Sequence, residues 1–276
     1  MNVYDEENMI PKIIHYCWFG GGEKSDEIKK YIVSWEKYCP DFIIKEWNEY
    51  NFDINENDYC REAYEAKKWA FVTDYVRLKV LYKEGGFYMD TDVEVVKSLE
   101  PLRIYDAVSG YESKVHIPTG VIGACSNNEW IGMLLHDYDK RHFFKADGRC
   151  DQTTNVEVIT RLTVEKYHIE LNGEKTPFGR NMIFLPFDYL CAKSYKTGEV
   201  YLTGNTYTIH HFAGSWLDND MKKYEEAKRK YFYTYKNLLP VNLAYTLAKI
   251  RAAFDLGGGN EIFVRILKKI FSKRNQ

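Results

Sequence analysis

Apolar positions in the first hundred residues fall into short dense runs separated by amphipathic stretches. IPKIIHYCWFGG (10–21) is rich in isoleucine and aromatics and closes on glycines, which predicts a buried strand entering a loop. Ser25 stands where a side-chain oxygen caps a helix of about DEIKKYIVSWEKYC (26–39). DFIIKEWN (41–48) predicts a second strand. From about Tyr59 to Glu84 the pattern is helical, and Gly85-Gly86 predicts its stop, because glycine enters left-handed backbone cheaply. FYMD predicts a short strand, and VEVV (93–96) continues as extended chain. Strand, helix, strand, helix, strand argues for an α/β domain with a mostly parallel central sheet flanked by helices.

The middle is less regular. DAVSGYE (106–112) and TGVIGAC (119–125) predict strands, and NEWIGMLLHDYDKRHF (128–143) predicts a helix. NMIFLPFDYLC (181–191) and NTYTIHHFAGSW (205–216) are expected to be extended. From Asp220 the period turns helical, through MKKYEEAKRKYFYTYKNLL and PVNLAYTLAKIRAAFDL. A GGG hinge (257–259) precedes NEIFVRILKKIFSKRNQ. The expected division is a domain over 1–220 and a helical, basic C-terminal extension over 221–276.

Composition excludes several classes. Of 276 residues, 45% are hydrophobic and 28% charged, close to soluble globular averages, so disorder is not expected. Cys17, Cys39, Cys60, Cys125, Cys150 and Cys191 form no CxxC pair and no zinc-type spacing. MNVYDEENMIPK lacks the order of a signal peptide, and no run approaches the ~18–20 apolar residues that span a bilayer. Reduced cysteines and a cytoplasmic protein are therefore expected. Net charge is −2, but residues 221–276 hold thirteen Lys/Arg against four Asp/Glu, net +9. That asymmetry hints at an anionic partner for the C-terminal part.

The stretch that carries candidate chemistry is DYVRLKVLYKEGGFYMDTD (74–92). At ~100° per residue, Ala66, Ala70, Asp74, Arg77 and Leu81 share one helical arc, so apolar neighbours mark Asp74 and Arg77 as inward-facing. A buried charge must find a partner; a plain structural i,i+3 ion pair is the competing account of these two. Asp90 and Asp92 point the same way if the backbone there is extended. Two carboxylates a few ångström apart repel by roughly 4 kcal/mol at an effective dielectric of 20. A divalent cation removes that cost, and carboxylate oxygens suit Mg²⁺ or Mn²⁺. The pair also lies just beyond a strand, where open α/β sheets place ligands.

DYVRLKVLYKEGGFYMDTDVEV closely resembles the sugar-nucleotide-binding region of glycosyltransferase family 32, which includes yeast mannosyltransferases and many bacterial capsule and lipopolysaccharide transferases. It is also similar to the glucosyltransferase domain of large clostridial toxins. IPKIIHYCWFGG looks like the family's first strand, and IHHFAGSW resembles its closing segment. The likeness covers residues 10–105 well and 207–216 more loosely, leaving 105–205 as the expected acceptor side.

The resemblance implies a GT-A fold, a nucleotide-sugar donor and transfer with retention of anomeric configuration. Carried over by position, Asp90 and Asp92 would be the metal-binding DXD, and His211 a third metal ligand. Asp74 and Arg77 would hold donor sugar hydroxyls and the neighbouring phosphate. Trp18 would flank the base, with Phe19 and Thr91 also on the donor side, and Trp216 would approach the diphosphate or sugar. His210, facing opposite to His211 in a strand, is read as structural, and His15 as a core residue. Thr119 is a weaker candidate for the sugar pocket. A UDP-sugar is the favoured donor, with GDP-mannose the other, and Mn²⁺ or Mg²⁺ the cofactor. The acceptor would be a glycan or lipid-linked oligosaccharide in surface-polysaccharide assembly. A toxin-like transferase acting on a protein and a non-catalytic nucleotide-sugar binder are the rivals.

In the tail, Ile262, Phe263, Ile266, Leu267, Ile270 and Phe271 form one helical stripe flanked by Arg265, Lys268, Lys269, Lys273 and Arg274. Such a helix suits an anionic membrane surface, contacted through 258–276 at the inner face of the membrane. A helix packed on its own domain is the alternative. Nucleic acid is not an expected partner, since no recognition motif is present.

Overall fold

The computed structural model describes residues 9–117, 120–151, 153–214, 217 and 219–256. It comprises two compact units, one of residues up to Lys193 together with Val200–Ala213, the other of Ser194–Glu199 and the chain from Gly214 on.

The larger unit is built in the predicted order at its start. β1 (Ile13–Cys17) leads through a glycine loop to α1 (Asp26–Tyr38), whose first turn is capped by the Ser25 hydroxyl accepting from the Ile28 amide at 3.3 Å. β2 is Ile43–Trp47. The single helix expected over 59–84 is two, α2 (Asp58–Glu65) and α3 (Trp69–Glu84). The chain breaks at Lys67, which takes a left-handed φ of 55°. Apolar periodicity continues across the break because both helices face one core, sharing Tyr59, Cys60, Ala63, Val72, Val76 and Leu81. Gly85 ends α3 with φ 68°, and a Cβ there would meet the Ser126 amide at 2.7 Å.

Beyond it come β3 (Gly86–Met89), β4 (Val93–Val95), β5 (Ala107–Gly110), β6 (Val121–Ala124) and α4 (Glu129–His136), the last followed by a short 3-10 turn. α5 (Asn155–Tyr167) and β7 (Thr176–Phe178) have no counterpart in the sequence expectation. β8 (Met182–Leu185) takes up only the first part of 181–191. Pro186 turns the rest into the short α6 (Phe187–Leu190), and β9 (Thr208–His210) closes the unit.

Seven strands form the central sheet in the order β2-β1-β3-β6-β5-β8-β7. β2, β1, β3, β5 and β8 run one way, and β6 and β7 run against them, so the sheet is mostly parallel, with helices flanking it. The segment expected to extend β3 instead leaves the sheet: β4 pairs with β9 in a separate two-stranded ladder. α1 braces that ladder. The Trp35 indole donates to the Val93 carbonyl at 2.7 Å, and the Ser34 hydroxyl accepts from the Val95 amide at 2.9 Å.

The smaller unit contains α7 (Asn219–Tyr235) and α8 (Val241–Asp255). Ala244, Ala248 and Ala252 recur every four residues on the buried stripe of α8, beside Tyr224 and Phe232; small side chains let two helices approach closely. Lys228 is buried, pairs with Glu225, and lies over the rings of Tyr195, Tyr224 and Tyr245. No described helix is long and apolar enough to cross a membrane, and all six cysteines are free. The tail segment 258–276 lies outside the described residues.

Candidate active site

β1, β3 and β5 are mutually aligned, so their C-terminal ends share one edge of the sheet. Trp18, Asp90 and Glu112 follow those ends. Open α/β sheets bind ligands at such an edge, because the loops there are free to vary while the strands hold their bases rigid.

Asp90 and Asp92 do come together, but by a different route from the one expected. The DTD segment is not extended. The Val93 amide donates to the Asp90 carbonyl at 3.0 Å, closing a tight turn. This turn carries the chain from the seven-stranded sheet into the β4–β9 ladder. Its first residue is held by the Asp90 amide donating to the Gly120 carbonyl, and its last by the Asp92 carbonyl accepting from the His211 amide, each at 2.9 Å.

The two histidines exchange the places assigned from sequence. Register pairs Val93 with His210 across the ladder, and His210 Nε2 lies 3.3 Å from Asp92 Oδ1. Ligand atoms of Asp90, Asp92 and His210 all fall within 4.8 Å of one another. His211, one residue on, faces the other way: Nε2 is 2.9 Å from Glu94, and the ring stacks on Tyr31 with centroids 4.5 Å apart. Alternation along a strand allows only one of two neighbours to reach the pair, and strand register makes it His210.

The electrostatics are tightly compensated. Asp92 Oδ2 accepts from the Ala213 amide at 2.7 Å, beyond a left-handed Phe212. Burial works to raise the Asp92 carboxyl, but His210 and that amide hold it down at about 2. Burial alone would lower His210; Asp92 instead lifts it well above the usual histidine range.

Asp74 and Arg77 are buried, as the helix face predicts, at 9% and 4% exposure. Arg77 Nη2 is 3.1 Å from Asp74 and 3.3 Å from Asp90, while its guanidinium lies 4.7 Å over the Tyr88 ring. Tyr88 itself donates to Asp90 Oδ1 at 3.0 Å. Arg77 thus bridges the inward face of α3 and the acidic turn, supplying the charge that a buried carboxylate requires. Burial pushes the Asp74 carboxyl up to about 6, against the pull of Arg77.

Two residues absent from the sequence reading complete this corner. A Cβ on Gly120 would meet His210 Nδ1 at 2.9 Å, so the glycine makes room for the imidazole. Asn155, the first residue of α5, donates from Nδ2 to Asp74 Oδ1 at 3.1 Å. Its own carbonyl oxygen is buried with no hydrogen-bond partner among the described residues, and an unsatisfied buried acceptor costs ~1–3 kcal/mol.

The remaining candidates separate. Trp18 is half-buried; its indole donates to the Gly22 carbonyl at 2.6 Å, and Lys24 lies 5.4 Å over its ring. Phe19 is buried in the hydrophobic core. Thr91 occupies the middle of the acidic turn, partly exposed. His15 is a core residue: Nδ1 accepts from Trp47 at 3.0 Å, so Nε2 donates to the Gly85 carbonyl at 2.7 Å. Thr119 and Trp216 lie outside the described residues.

The donor set fits a divalent cation. Two carboxylates and one imidazole converge, and Asp90 Oδ2 makes no hydrogen bond among the described residues. Oxygen ligands with a single imidazole suit Mn²⁺ better than a soft metal.

Comparison with known proteins agrees with this chemistry. Residues 25–109 match the family described as "glycosyltransferase sugar-binding region containing DXD motif". The chain is 30% identical over 142 residues to inositol phosphoceramide mannosyltransferase 3 of Schizosaccharomyces pombe, covering 49% of this chain and 38% of the relative. It is 29% identical over 157 residues to an uncharacterized glycosyltransferase of Acanthamoeba polyphaga mimivirus, covering 53% and 61%. The chain therefore spans less than two thirds of either relative. Among solved structures, the PaToxG glycosyltransferase aligns with a TM-score of 0.44 and 20% identity, over 58% of this chain and 70% of that one. The galactosyltransferase LgtC aligns with a TM-score of 0.35 and 15% identity, over 64% and 74%. Both are remote likenesses.

Proposed function

We propose that this chain, whose residues 25–109 match a glycosyltransferase sugar-binding region containing a DXD motif, moves a sugar, with retention, from a nucleoside diphosphate donor to a glycan or lipid-linked acceptor. A UDP-sugar is the favoured donor and Mn²⁺ the favoured ion. The S. pombe relative is named as a mannosyltransferase of a lipid, inositol phosphoceramide, which supports a lipid-linked acceptor and keeps GDP-mannose in the donor panel. The basic, amphipathic segment 258–276 is proposed to meet an anionic membrane surface where such an acceptor resides.

The observation that carries this reading is the convergence of Asp90, Asp92 and His210 beside a buried Asp74–Arg77 pair at the C-terminal edge of the sheet. In the proposed site those three side chains would hold the ion, and the base would lie toward Trp18. When bound, the ion acts as a Lewis acid on the diphosphate, taking up charge worth several kcal/mol. Asp74 accepts hydrogen bonds from sugar hydroxyls. Arg77 keeps Asp74 and Asp90 in register with its planar fork of donors.

The bond from the sugar's anomeric carbon to the phosphate oxygen breaks, and its electron pair leaves on that oxygen. The acceptor hydroxyl oxygen bonds to the same carbon on the same face, and its proton passes to the departing phosphate. The carbon is oxocarbenium-like in between, as in glycoside hydrolysis. No side chain is assigned as a covalent nucleophile.

Incubating the purified protein with UDP-glucose, UDP-galactose and GDP-mannose, with Mn²⁺ or EDTA, tests this. Metal-dependent release of a nucleoside diphosphate from one donor, lost in Asp92→Ala, is expected. Release unaffected by EDTA, or from none of a full panel, would overturn the assignment.

A further inference from the structure

We propose that Asn155 belongs to the donor-sugar site, working as a unit with Asp74: its amide group orients the carboxylate, and its unpartnered carbonyl oxygen accepts a hydroxyl of the transferred sugar. The inference rests on the donor-site reading above.

The orientation of the amide follows from chemistry. A carboxylate accepts only, so the end of Asn155 that faces Asp74 Oδ1 at 3.1 Å is the NH₂ group. The carbonyl is thereby the other end, and it is buried with no partner among the described residues. A side chain kept only to brace Asp74 would be expected to satisfy both ends, since buried polar groups almost always do. A hydroxyl that approaches Asp74 as a donor meets this second acceptor on its way.

α5 holds the residue rigidly for such a task. Asn155, Val158, Ile159 and Thr163 are all buried, the spacing of one inward helical face. The Thr154 hydroxyl caps the helix by accepting from the Glu157 amide at 3.4 Å. The same approach to the helix is tied down by Arg141, which reaches Asp151 at 3.0 Å. Two separate parts of the chain, α3 and α5, therefore meet at one carboxylate.

The prediction separates sugar from nucleotide. Asn155 is 81 positions from Asp74 in sequence and touches neither the acidic turn nor His210 in any hydrogen bond among the described residues. Its loss should weaken binding of the sugar and spare binding of the diphosphate.

The test is calorimetry on the full chain with Mn²⁺, using whichever of UDP-glucose, UDP-galactose or GDP-mannose the wild type hydrolyses, together with the matching nucleoside diphosphate. Asn155→Ala should raise Kd for the nucleotide sugar about tenfold, equivalent to ~1.4 kcal/mol, and leave Kd for the diphosphate within about twofold. Asn155→Asp, which keeps the volume but sets a second carboxylate against Asp74, should show the same split, and thermal melts of both variants separate that split from a folding failure. Unchanged sugar-nucleotide affinity in both variants overturns the proposal. So does an equal loss for sugar nucleotide and diphosphate in a variant that melts like the wild type. Absence of metal-dependent diphosphate binding in the wild type would instead overturn the donor-site reading itself.

Discussion

Arg77 offers one nitrogen to two carboxylates: Nη2 lies 3.1 Å from Asp74 and 3.3 Å from Asp90. A helix residue and a turn residue sixteen positions apart are locked by a single guanidinium, with Tyr88 beneath it.

Arg77→Lys should therefore lose most metal-dependent donor hydrolysis. An ammonium is a point charge and cannot span both carboxylates while lying flat on Tyr88. A fall in kcat/KM of roughly 100-fold, or ~2.7 kcal/mol, is expected. Arg77→Ala should also destabilise the fold by ~3–5 kcal/mol, because it leaves buried carboxylates without a counter-charge. Hydrolysis kinetics and a thermal melt read the two effects; near-normal turnover of the lysine variant would remove Arg77 from the site.

Exchanging the histidines one at a time distinguishes the two candidate ligands. His210→Ala should weaken apparent Mn²⁺ affinity by about 10- to 100-fold, the loss seen even when a ligand's partner is removed. His211→Ala, which gives up contacts to Glu94 and Tyr31, should leave Mn²⁺ activation within about threefold. Titrating activity with Mn²⁺ measures both, and the reverse ranking would restore His211 to the role read from sequence.

Gly120→Ala should act on the same ion without touching a charge. The added Cβ would stand 2.9 Å from His210 Nδ1, and the ring cannot swing away without leaving Asp92. Overpacking of this kind costs ~1–3 kcal/mol, and a matching rise in the Mn²⁺ concentration for half-maximal hydrolysis is expected. An unaltered Mn²⁺ titration would show that the pocket yields elsewhere.

Trp35 tests how far the helix that supports β4 sets the acidic turn. Trp35→Phe leaves the Val93 carbonyl without its indole donor and should cost ~1 kcal/mol, the usual net value of such a bond. Trp35→Ala should cost ~3–5 kcal/mol by emptying a fully buried site. Thermal melts give the ranking, and the phenylalanine variant should keep donor hydrolysis.

Much of the larger unit was legible along the chain because its signals are local. Ser25 announces a cap, Gly85-Gly86 a helix stop, and the inward arc of α3 exposes Asp74 and Arg77 as buried charges in need of partners. The break at Lys67 was hidden, since no glycine, proline or asparagine marks it and both helices share one apolar face. α5 was hidden as well, and with it Asn155.

By itself, then, the sequence determined which residue types gather near the end of β3 and that their charges must be neutralised. It did not determine how they meet. The acidic pair converges through a turn between two sheets, and a strand register set by the β4–β9 ladder turns His210 inward and His211 outward. Those outcomes depend on partners over a hundred positions away, and local propensity carries no information about such pairings.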